Sequence, residues 1–249
     1  MPPQSSSKPN ANLLLGIAKA LATVGFYALM ALGLYFMIEA SLSYVEMGTA
    51  HPFVLEKTHQ KQNLLPSDLW LTALYLHVPS ALFGLPACLV LLLKSVRTRF
   101  PKFHRHLGRV TGVVILFGAA PSGLILAFSA TGGLSSTLGF MLTGLLAAGA
   151  MVMSIKTARD KKMVAHRRYS IHVAAQMSVA VLSRLFLVAA DAAGLYGEWV
   201  YIASLWAPVI VAFVGAELIG RPRPSAPVPS SIPAAPQPHA TDLDVAVLA

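Results

Sequence analysis

Val164 to Ala190, VAHRRYSIHVAAQMSVAVLSRLFLVAA, is an apolar stretch long enough to cross a bilayer as one helix, yet it carries His166, His172, Gln176 and Arg184. A cation at membrane depth costs roughly 3 kcal/mol on insertion scales, so Arg184 needs a partner or a polar cavity to face. His166 and Arg184 are 18 residues apart, about five whole helical turns, which places them on one face at opposite ends of the span.

The rest of the chain supports this membrane reading. Hydrophobic residues make up 55% of the 249 and charged residues only 12%, with a mean hydropathy of +0.64. The sequence predicts an all-α polytopic bundle with six spans: Ala18 to Ile38, Trp70 to Leu93, Val110 to Ala130, Thr137 to Ile155, Ser170 to Ala190 and Val200 to Ile219. No period-2 alternation points to a barrel, the other way to satisfy the backbone in lipid. Residues 1–12 are expected to be a disordered lead, 13–220 the membrane domain, and the Pro- and Ala-rich residues 221–249 a disordered tail.

Charge sets the orientation. The connection after span two carries Lys94, Arg97, Arg99, Lys102, Arg105 and Arg109, and the one after span four carries Lys156, Arg159, Lys161, Lys162, Arg167 and Arg168. The connections after spans three and five carry no cation, and the long one after span one only Lys57 and Lys61. Cations are retained on the cytoplasmic side, so both termini are expected inside. The formal net charge of +9 follows from this asymmetry. It predicts contact with anionic lipid at the cytoplasmic face and no nucleic-acid partner. The single cysteine, Cys88, lies within span two and reads as a packing residue.

The groups capable of chemistry fall into two layers. In the outer half, His77 lies about 10 Å into span two and Arg184 at a similar distance from the outer end of span five. The two are candidates to meet, with Glu39 or Asp191 as further partners for the arginine. At the inner interface stand His104, His106, His166 and His172, ringed by Arg105 and Arg167. His51 and His59, in the loop after span one, read as solvated. Lys94 to Arg105 and Lys156 to Arg167 both follow K-x-x-R-x6-H-R at an offset of 62 residues. A duplication of that kind would place His104 and His166 symmetrically. Paired neutral imidazoles on facing helices suit a haem b, whose propionates the arginines would neutralise, or a divalent metal ion held by His104 and His166. The same layers suit a transporter or a lipid or small-molecule binder that recognises an anionic solute through His77 and Arg184. They also suit an accessory membrane protein whose His-Arg pairs anchor at headgroups. No nucleophile triad, Walker loop or H-E-x-x-H motif favours a hydrolase or nucleotide enzyme.

From about Leu76 to Ala190 the chain resembles the predicted membrane proteins grouped as domain of unknown function 2306. The resemblance rests on His77, the H-R-x-L-G-R motif from His104 to Arg109, the Gly132-Gly133 turn, the H-R-R motif from His166 to Arg168, and Arg184. Members usually carry an aromatic residue at the position of His106 and often an arginine at that of His172, which sets those two histidines behind the others. The resemblance implies a bacterial cytoplasmic-membrane location and transfers no activity. A looser likeness, to four-helix membrane cytochromes of the b561 and ferric-reductase type, implies haem held by histidines on paired helices. Here the partner of His166 at the far end of its helix is Arg184 rather than a second histidine, so one bis-histidine site is the most that this likeness implies.

Overall fold

The computed structural model describes residues 8–59 and 66–221, with side chains over 13–58 and 66–221. The expected tail beyond Arg221, the first seven residues of the expected lead and the His59 side chain lie outside the described residues. Every regular element among the described residues is helical, and six helical segments are long and apolar enough to cross a membrane.

The first span is longer than its apolar centre. Helix α1 runs Lys8–Met47, beginning inside the stretch expected to be disordered and continuing into the stretch expected to be loop. Nothing in those flanks breaks a helix until Gly48, which takes a positive φ. The short helix α2, Pro52–His59, then folds back, and its Val54 packs against Trp70 and Leu74 of helix α3, Ser67–Leu92. Pro79 and Pro86 lie inside α3, where each removes one backbone hydrogen bond.

The basic connection after α3 is itself helical. Leu93 is extended, α4 spans Lys94–Arg99, and α5 opens at Pro101 and continues to Val113. Phe100 precedes a proline and is excluded from the helical region, which separates α4 from α5. Pro101 suits the first helical position because its missing N–H has no partner to lose there. The third span continues through a π-helical turn, Val114–Ala119, into α6, Ala120–Ala127. Gly132, at φ +88°, opens α7, Gly133–Arg159, as the Gly-Gly turn predicts.

Helix α8, Met163–Ala192, ends where Leu195 N–H bonds the Ala190 carbonyl and Gly194 takes a positive φ, a left-handed cap that releases the chain toward α9, Glu198–Gly220. Along α8 lie α7 and α9, with α3 and α1 on its other side. Cys88, Ile115, Met151, Val173 and Ala174 bring α3, the π turn, α7 and α8 into one core, so these spans form a four-helix centre. Met30 of α1 joins Leu85, Leu89 and Val181 in a second cluster, and Val179 joins Leu205, Val209 and Ala212 of α9 in a third. Most of the other α1 side chains are exposed and apolar, among them Leu21, Val24 and Leu32, which suits a lipid-facing helix.

Candidate functional site

The chemistry-bearing side chains concentrate at the end of the bundle where α4, the start of α5, the end of α7 and the start of α8 meet; this is the basic end. His104 and His166 are each the fourth residue of a rising helix, α5 and α8. They lie within electrostatic range of one another, and Arg97 is in range of His104. The two repeat-like segments differ before that point. Lys94 and Arg97 sit in the separate helix α4, whereas Lys156 and Arg159 sit in the last turn of α7.

His166 is held by α7. Its Nδ1 lies 2.9 Å from the Ser154 carbonyl oxygen and 3.1 Å from Ser154 Oγ, and Ser154 Oγ is 2.9 Å from Ser170 Oγ. A carbonyl only accepts, so Nδ1 carries a proton, and Nε2 is the ring atom left to offer a lone pair. His104 is half-buried, and its Nδ1 is buried without a hydrogen-bond partner. The flanking Arg105, Arg167 and His106 are exposed. Among the described residues no group of three or more His, Cys, Asp or Glu side chains is arranged to hold a metal ion.

His77 also donates to a backbone carbonyl, though not at this end. Its Nδ1 is 3.0 Å from the Ala119 carbonyl oxygen and 3.3 Å from Ser122 Oγ. The acceptor is the last residue of the π turn, where the irregular helix leaves a carbonyl free for a side chain. A Cβ on Gly123 would come within 2.9 Å of the His77 ring, so glycine makes room for the imidazole. Arg184, the expected partner of His77, is exposed and makes no hydrogen bond or ion pair among the described residues. It lies within electrostatic range of Tyr44 and Tyr201. The anticipated His77 and Arg184 pair does not form because the π turn captures the imidazole, and neither Glu39 nor Asp191 bridges to Arg184.

Several contacts escaped the sequence reading. Arg168 Nη2 donates to both carboxylate oxygens of Glu217, at 2.9 and 2.7 Å, and His172 Nε2 lies 3.1 Å from Glu217 Oε1. His172, set behind the other histidines on sequence, is thus buried between α8 and α9, with its ring 5.4 Å from that of Phe213. The available signal was the spacing of Arg168, His172 and Gln176 at four residues, which aligns them on one face of α8. Gln176 is buried and accepts from Thr143 Oγ1 at 2.7 Å, while its Nε2 has no partner. At the opposite end of the bundle Lys57 is buried, donates to Thr131 Oγ1 at 3.0 Å and lies 5.9 Å from the Phe53 ring centre. His51, expected to be solvated, is half-buried. Its Nε2 lies 3.1 Å from Ser43 Oγ and its ring packs on Tyr44.

No curated protein and no solved structure matches the chain. The model of a family described as predicted membrane protein, DUF2306, matches residues 74–220, more than half of the chain. The match runs past Ala190 to take in α9, and so includes Glu217 as well as His77, the His104 and His166 pair and Arg184. With six apolar helices and this match, the chain is an integral, multi-pass membrane protein that belongs to the DUF2306 family.

Proposed function

We propose that the protein is a membrane electron-transfer protein that binds haem b through His104 and His166 at the basic end. The observation that carries this reading is the hydrogen bond from His166 Nδ1 to the Ser154 carbonyl, which leaves Nε2 as the ligating atom and fixes the ring. His104 stands at the same position of the other rising helix and within electrostatic range of His166. Haem is favoured over a bare divalent ion by ligand number. A closed metal site takes about three or four protein ligands, whereas a porphyrin brings nitrogen donors of its own and would ask the protein for only one or two more. Exposed Arg105 and Arg167, each next to one of the histidines, are suited to the propionates. When bound, the haem would supply one-electron chemistry, and this chain would orient it and set its electrostatic surroundings.

The same reading places the basic end in the cytoplasm of a bacterial cell, since retained cations mark that side. Lys94, Arg97, Arg99, Lys156 and Arg159 are all exposed there and would meet anionic headgroups. The alternative of a solute site at His77 and Arg184 has less support, because His77 is engaged by Ala119 and Arg184 is exposed.

The test is the oxidised and dithionite-reduced optical spectrum of protein purified from haem-sufficient cells. A Soret band that shifts on reduction in the native protein, and is lost in both His104→Ala and His166→Ala, is the expected result. A colourless, folded native protein from such cells, or a band that survives both substitutions, would overturn the assignment.

A further inference from the structure

Independently of the histidine pair, the α8–α9 interface holds a cluster with a chemistry of its own. Arg168, His172 and Gln176 rise along α8 at four-residue intervals, about 6 Å per step, from the basic end toward the middle of the bundle. Glu217, from α9, bridges the first two of them. We propose that Glu217 and His172 form a proton-binding site, in which the carboxylate exchanges a proton between water at the basic end and the buried imidazole.

Exposure grades the cluster in the required direction. The Glu217 side chain is 26% exposed and that of His172 only 10%. The acid keeps the more open surface, and the base is nearly enclosed. The contacts around His172 are few and defined. Its own helix contributes Arg168, which reaches it only through the shared carboxylate; α9 contributes Glu217 and the apolar Phe213 ring. Among the described residues, α7, α3 and α1 bring no charged side chain into hydrogen-bond or ion-pair contact with it. Two hydrogen bonds from Arg168 anchor the carboxylate, so the acid can return to the same geometry after each transfer. One turn beyond His172, the unpartnered Nε2 of the buried Gln176 is a donor with no acceptor, the next polar group on the line into the bundle.

Loading moves one proton and no electrons. A proton from water binds a Glu217 oxygen, passes from Oε1 to the Nε2 lone pair of the neutral ring, and leaves an imidazolium whose N–H is donated back to the carboxylate. The 3.1 Å contact between Nε2 and Oε1 is short enough for the transfer in either direction. Unloading reverses each transfer.

The experiment is a pH titration of the full-length protein in detergent with ring-15N-labelled histidine, followed by NMR, with the His172 signal identified by its loss in His172→Asn. The expected result is a reversible one-proton transition of His172 between about pH 5 and 8, whose midpoint moves by about a unit or more, a tenfold change in proton affinity, in Glu217→Gln. A His172 ring that keeps one protonation state across that range overturns the proposal. So does a midpoint indifferent to Glu217→Gln, since a purely structural ion pair would behave in the first way and an isolated histidine in the second. Should Glu217→Gln fail to fold, Glu217→Asp, which shortens the reach of the carboxylate, takes its place, and a His172 midpoint indifferent to that change overturns the proposal. Loss of haem binding leaves this readout unaffected, so the two assignments fail separately.

Discussion

Glycine in this bundle is a matter of single contacts, and the contacts differ sharply from one position to the next. A Cβ placed on Gly118 would collide with Ser80 Oγ, so the third span packs closely on α3 here. Because Ser80 is itself buried, it has little room to yield. Gly118→Ala should therefore lower stability by about 1–3 kcal/mol through overpacking, read as a lower thermal midpoint in detergent. Gly149 is the matched comparison, since nothing lies within 4 Å of a Cβ there. Gly149→Ala should be neutral or raise the midpoint slightly, because alanine is favoured over glycine inside a helix by up to about 1 kcal/mol. Equal effects at the two positions would contradict the close approach of α3 and the π turn. His77 belongs to the same seam, its ring seated over Gly123 and its proton on the Ala119 carbonyl.

Individual helices differ in how they are held. Along α1, most side chains face outward, and its attachment rests on Met30, packed with Leu85, Leu89 and Val181, together with the Tyr27 hydroxyl, which donates to the Leu89 carbonyl at 3.2 Å. That carbonyl is available because Leu93 N–H bonds the Val90 carbonyl where α3 ends. Met30→Ala removes a fully enclosed side chain and should cost about 2–5 kcal/mol. Leu29→Ala, one position away and exposed, should leave stability within about 0.5 kcal/mol. Chemical unfolding of both variants in mixed micelles measures the difference, and similar losses would mean that α1 does not dock through Met30. Helix α8 is the opposite case. It is covered on several sides by α3, α7 and α9, and it carries polar contacts to α7 through Ser154 and Thr143 and to α9 through Glu217.

For the molecule as a whole, the two ends are chemically unlike. The basic end carries most of the exposed lysines and arginines and both histidine clusters, whereas the opposite end carries the Gly-Gly turn, the Gly194 turn and the buried Lys57. The proposed orientation predicts opposite labelling at the two ends. In a Cys88→Ala background, Ser95→Cys should react with a membrane-impermeant maleimide only in inverted vesicles, and Tyr196→Cys only in right-side-out vesicles; the reverse pattern would invert the assignment. Native Cys88, buried in the four-helix core, should stay unlabelled from either side until the bundle is unfolded.

Six membrane helices, the positions of the connections and the concentration of cations at one end follow from the amino-acid sequence by itself. Hydrophobic length, proline and glycine placement and loop charge are properties of contiguous residues and need no knowledge of neighbours. The placement of His104 and His166 was legible for the same reason: each occupies the first turn after a basic connection, and the motif repeats. The tertiary structure alone decided who faces whom. A π turn diverts His77 from Arg184 to the Ala119 carbonyl, and a glutamate from the last helix, 45 residues away, turns His172 into part of an ionic cluster. Such pairings depend on how far each helix is rotated about its axis. Rotation is set by the sum of many apolar contacts across several helices, which no single stretch of the chain encodes.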